Sequence, residues 1–194
     1  MAGRHLRGDA QALARMEREL GSEAHVASAW VAKGHEIAER MGSCNLDVLV
    51  AFERALDLDP TLASAWLAYA MALPASRNYE DALDAEAKAL ALDLENPLAW
   101  LSRSRTLSLL SRREEALAAL ETAMRLSPDA TEDWRHWDVK QSLLHSLKRE
   151  DEAGAARQRY RALLEIAAGA IPAENNATHS PAQRQMLWTR PHER

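Results

Sequence analysis

Residues 63–73 read ASAWLAYAMAL and residues 97–107 read PLAWLSRSRTL, two stretches that set a tryptophan at the same place in an apolar helical run. The same frame returns at 27–37, ASAWVAKGHEI, and at 131–141, TEDWRHWDVKQ. The four rings, Trp30, Trp66, Trp100 and Trp134, recur roughly every 34 residues, with the first interval two positions longer than the others. A period of this length marks a repeat architecture built from helix pairs, and one pair cannot cover its own apolar face. The pairs are therefore expected to stack side by side, with function on the surface of the stack and not in a catalytic pocket.

Other positions keep step with the tryptophans. Trp30-x-x-Lys33-Gly34-x-x-Ile37 is followed by Val48-x-x-x-Phe52-x-x-Ala55 and Pro60. Trp66-x-x-Tyr69-Ala70-x-x-Leu73 is followed by Ala82-x-x-x-Glu86-x-x-Ala89, and Trp100-x-x-Arg103-Ser104-x-x-Leu107 by Ala116-x-x-x-Leu120-x-x-Ala123 and Pro128. The fourth frame opens with Trp134-x-x-Trp137 and reaches its second helix at Ala153. Trp66 to Ala82 and Trp100 to Ala116 are equal intervals, while the first repeat is two positions longer over this span and the fourth three longer. Second helices are expected to start near Asn78-Tyr79-Glu80-Asp81 and Arg113-Glu114-Glu115, where acidic residues favour the positive end of the helix dipole. Pro74 is expected to kink or shorten its helix.

These residues resemble the tetratricopeptide repeat family, whose 34-residue pattern has Trp, Leu-Gly and Tyr in the first helix and Ala, Phe, Ala and Pro in and after the second. The resemblance covers roughly residues 27–167. It implies an all-α, right-handed solenoid with four repeats at 27–62, 63–96, 97–130 and 131–170. Residues 1–26 are read as a polar leader and a capping helix over Asp9–Leu20, with Ala12, Met16 and Leu20 on one face and Gly21 as its stop. Residues 171–194 are read as a polar linker and a tail with a short helix, Ser180-Pro181 serving as its start.

Size complementarity explains the pattern. Small residues such as Ala82, Ala89, Ala116 and Ala123 let helices approach, while Trp66, Trp100, Leu120 and Phe52 fill the space beside them. The tryptophans are accordingly read as core.

Composition narrows the function. The chain has 194 residues, 47% hydrophobic and 27% charged, the balance of one globular domain with a real core. Its formal net charge of -5 argues against a general nucleic-acid or anionic-lipid binder. With Cys44 the single cysteine, no intramolecular disulfide can form. No apolar run approaches the roughly 20 residues a membrane-spanning helix needs. Asp9, Glu17 and Glu19 spoil a transit-peptide reading of the N-terminal arginines, and a cytoplasmic location is expected.

A search for chemistry returns little. The glycines form no phosphate-cradling loop, His35-Glu36 lacks the second histidine of a metalloprotease helix, and Cys44 has no partner at zinc-site spacing. No catalytic residue, cofactor or metal is expected.

The family resemblance implies that the first helix of each repeat lines a concave face, with exposed positions two before, one after, five after and eight after the tryptophan. Those positions hold Ser28, Val31, His35 and Ala38; Ser64, Leu67, Met71 and Pro74; Leu98, Leu101, Arg105 and Ser108; and Glu132, Arg135, Val139 and Ser142. Chaperone-binding members hold a peptide's terminal carboxylate with Lys, Asn and Arg. The matching places here hold Val31, His35, Ala68, Leu98 and Ser102, so that clamp is absent. An apolar strip bordered by Arg105 and Arg135 suits an extended or helical peptide with hydrophobic anchors. The expected binding residues are Val31, His35, Leu67, Met71, Leu98, Leu101, Arg105, Arg135 and Val139. The expected function is a non-catalytic scaffold or adaptor. The alternative is a structural subunit or homo-oligomer whose groove is filled by another chain, or by the chain's own tail through Met186, Leu187 and Trp188.

Overall fold

The structure, a computed structural model, describes residues 7–42, 45–73, 78–127 and 132–169. Among these residues the chain forms nine α-helices and one 3-10 turn, with no strand. They are α1 (Arg7–Leu20), the turn Gly21–Glu23, α2 (Ala27–Met41), α3 (Leu46–Leu58), α4 (Ala63–Ala72), α5 (Tyr79–Leu92), α6 (Pro97–Leu109), α7 (Arg113–Leu126), α8 (Trp134–Ser146) and α9 (Glu150–Gly169). Pairing runs α2 with α3, α4 with α5, α6 with α7 and α8 with α9, and the second helix of each pair packs on the first helix of the next. First helices also touch one another, α2 on α4 and α4 on α6, which puts them along one face of an all-α solenoid.

Local chemistry sets the helix ends. The side chains of Asn45, Asn96 and Asp133 accept from the backbone N–H groups of Asp47, Leu98 and Arg135, capping α3, α6 and α8, and Pro97 opens α6 with the φ a first turn needs. Helices α5 and α7 have no such side-chain cap. Their first turns carry Glu80 and Asp81, or Glu114 and Glu115, opposite the dipole. After α6 and α8, Ser111 and Lys148 adopt left-handed φ of 61° and 60°, so that Arg112 N–H reaches back to Leu107 O at 2.9 Å and Arg149 N–H to Leu144 O at 3.0 Å. Helix α4 is short, ending at Ala72, two positions before Pro74, which lies outside the described residues.

The period has a structural cause beyond packing. The indole N–H of Trp30 donates to Ala24 O at 2.8 Å, that of Trp66 to Pro60 O at 2.8 Å, and that of Trp100 to Leu94 O at 2.9 Å. In each case the acceptor lies six positions upstream, so the ring ties the loop before a first helix to that helix. Burial is less uniform than the sequence implies. Trp30 is fully buried, whereas Trp66, Trp100 and Trp134 are half-buried. Trp134 instead meets Tyr160 of α9 edge-on, with centroids 5.9 Å apart.

Helix α1 inserts Ala12 and the fully buried Met16 into a core shared with Trp30, Val48, Ala51, Phe52 and Ala55. It packs chiefly along α3, and charged contacts tie it down: Lys33 of α2 to Glu19 at 2.7 Å, and Arg15 to Asp47 of α3. A second core centres on Leu107, Leu117, Leu120 and Leu144.

Candidate peptide-binding groove

Four residues recur at one register position of the repeats. His35, Met71, Arg105 and Val139 each stand five positions after a repeat tryptophan, and all four line one of two adjoining cavities. The larger, of about 790 Å3, runs over α4, α6 and the start of α8, and Met71, Leu98, Leu101, Arg105, Arg135 and Val139 are among its walls. The smaller, of about 230 Å3, is bounded by His35, Ala38, Val48, Phe52, Ala68 and Ala72. Met71 and Arg105 border both, so the two cavities meet at these residues. Met71, Leu98, Leu109 and Val139 are 44%, 60%, 50% and 42% exposed, a run of large apolar side chains left open to water.

Two of the expected residues stand elsewhere. Leu67 is buried among Ala89, Leu90, Ala99, Trp66 and Trp100. Val31 is half-buried against the N-terminal core. Both follow the tryptophan directly, and neither lines either cavity. Leu101, at the same position, packs on the C-terminal core yet still reaches the wall of the larger cavity. Met186, Leu187 and Trp188 lie outside the described residues.

The structure also adds residues that the repeat count did not single out. Ser102, Ser104, Leu109, Leu120, Asp133 and His136 line the larger cavity. Asp133 is held by Arg135 through paired bonds of 2.9 Å from Nε and 2.6 Å from Nη2. Burial alone would raise the Asp133 carboxyl, but the hydrogen bonds from the Arg135 side chain and backbone hold it below the ordinary range. Arg135 thereby already has a counter-charge beside it. At the other end, His35 packs edge-on against Phe52 with centroids 5.3 Å apart.

Glu86, on α5, is fully buried at the register position that Phe52 occupies one repeat earlier and Leu120 one repeat later. Its Oε1 accepts from Ser102 Oγ and Thr106 Oγ1, each at 2.7 Å, while Oε2 has no partner. Burial pushes this carboxyl up, against the pull of the two hydroxyls and of Arg103 and Arg105. The signal in the sequence was a charged residue at an apolar register position, with Ser102 and Thr106 one turn apart on the helix that faces it.

Among the described residues no group of three His, Cys, Asp or Glu side chains is placed to hold a metal ion, and no helix is long and apolar enough to cross a membrane.

No protein-family model matches the sequence, and no curated protein does. Solved structures do. A crystal structure of MamA is 16% identical, with a TM-score of 0.70 over 81% of this chain and 89% of that one. YrrB, described as a TPR protein with an unusual peptide-binding site, is 19% identical, with a TM-score of 0.64 over 75% and 73%. The first TPR of Spaghetti (RPAP3), bound to the HSP90 peptide SRMEEVD, is 19% identical, with a TM-score of 0.58 over 64% and 98%. Likeness at such identities establishes architecture alone, and with the indole period and the paired helices it places this chain in the tetratricopeptide-repeat fold.

Proposed function

We propose that the chain is a non-catalytic protein-interaction module, a scaffold or adaptor, that captures a segment of a partner polypeptide in the concave channel. The observation that carries this reading is the row His35, Met71, Arg105 and Val139, one residue from each helix pair, which lines two cavities that share Met71 and Arg105. Open apolar side chains flank it, and burying them is the main favourable term in most protein association. The solved structures add support in kind, since one similar chain holds a peptide and another is described by its peptide-binding site.

The test compares the unaltered chain with the double variant Leu98→Glu, Val139→Glu, both purified and used to capture partners from the native host. The double variant is expected to lose the specific partner while its helical circular dichroism stays unchanged. Capture that survives the double substitution would remove the channel from the account. A chain that elutes as an oligomer, and becomes monomeric on the same substitutions, would instead favour a structural subunit whose channel is filled by a neighbouring copy.

A further inference from the structure

We infer that the occupant of the channel is an acidic segment with apolar anchors, supplied by a separate polypeptide, and that Arg105 is the residue that reads its carboxylate. This rests on the channel being the binding site and adds the chemistry of what binds.

The charge of the channel is opposite to that of the molecule. The chain carries a net -5, yet among the described residues the only acid lining either cavity is Asp133, and that carboxylate is already committed to Arg135. The remaining guanidinium on the cavity walls is that of Arg105, and His35 and His136 line the same two cavities. Arg105 is exposed and stands at the junction. Among the described residues no carboxylate lies within ion-pairing distance of it. An exposed guanidinium framed by Met71, Leu98 and Leu101 offers a bidentate site to a carboxylate while the apolar walls take the flanking side chains.

The same charge balance argues against the chain's own tail. Residues 171–194 hold three arginines and two glutamates, a net of +1, the wrong sign for a positive channel.

The test uses the full chain and an array of synthetic dodecapeptides, each carrying two leucines at varied spacing with Glu, Gln or Lys between them. Binding is expected to favour Glu over Lys at matched spacing by about tenfold, the factor a partly desolvated charge pair supplies. Arg105→Glu is expected to reverse that preference, and Arg105→Gln to erase it, with helical circular dichroism unchanged. Equal binding of Glu, Gln and Lys peptides that is still lost in the Leu98→Glu, Val139→Glu variant would overturn the acidic partner and leave the channel standing. Binding indifferent to that double variant, or no binding by any peptide, would overturn both. A synthetic peptide of residues 178–194 added as competitor is expected to leave the Glu peptides bound; if it displaces them, the tail is the occupant and the inference fails.

Discussion

The ring of Phe52 fills the space that a β-carbon on Gly34 would need: an added carbon would fall 2.7 Å from Cδ1 and 2.8 Å from Cζ. Helices α2 and α3 therefore meet at a glycine, and the ring that forbids a larger residue is itself buried. Gly34→Ala gains helix propensity of about 1 kcal/mol but must push a packed ring aside, an overpacking cost of roughly 1–3 kcal/mol. The net effect is expected to be destabilising in urea denaturation. Combined with Phe52→Leu, which imitates the Ser104 and Leu120 pairing of the third repeat, the alanine is expected to be neutral or favourable. An alanine that destabilises both backgrounds equally would contradict the contact.

The tryptophans are expected to differ in weight although they share a hydrogen bond. Trp30→Ala empties a fully buried site and is expected to cost roughly 3–5 kcal/mol. Trp100→Ala, at a half-buried ring, is expected to cost less. Trp100→Phe keeps most of the ring and loses the bond to Leu94 O, at about 0.5–1.5 kcal/mol. Chemical denaturation of the three variants would order them, and equal costs would mean that the difference in burial carries no energy.

Glu86 predicts a pH dependence of stability. Its carboxyl is raised in the folded state, chiefly by burial, so the folded protein holds this proton more tightly than the unfolded chain does. The stability it contributes is fully present below the ordinary glutamate value and is lost as pH rises through the folded value. Several exposed carboxylates, Glu19 and Glu36 among them, are shifted downward and act with the opposite sign. The informative quantity is thus the difference between the unaltered chain and Glu86→Gln. The variant is expected to gain relative stability as the pH is raised from acid to neutral. Parallel pH profiles would show that Glu86 ionises as freely in the folded chain as in the unfolded one.

Leu67 and Leu98 separate core from channel. Leu67→Glu places a charge among Ala89, Leu90 and Ala99 and is expected to unfold the middle of the stack, with loss of helical circular dichroism. Leu98→Glu, at a residue 60% exposed, is expected to leave the stability within about 0.5 kcal/mol of the original and act on binding alone. Similar behaviour of the two variants in thermal and chemical denaturation would refute this division of roles.

The regular step of the tryptophans was enough to derive the architecture from sequence alone. A helix pair has a characteristic length, and the indole that pins α2, α4 and α6 each to the loop before it recurs at that length. The apolar face of Ala12 and Met16 on α1 and the end of α4 at Ala72, two positions before Pro74, were legible for similarly local reasons: spacing on one helical face, and a ring that has no N–H to give. The channel was legible only in part. Counting from the tryptophan puts both Leu67 and Met71 on the first helix, yet one side chain is locked in the seam and the other lies open. That choice depends on what neighbouring helices bring against each side chain, Leu90 and Ala99 against Leu67, which no single repeat encodes. Glu86 shows the same limit. Its register position says buried, its chemistry says exposed, and only the hydroxyls that α6 brings to it across the pair boundary decide in favour of burial.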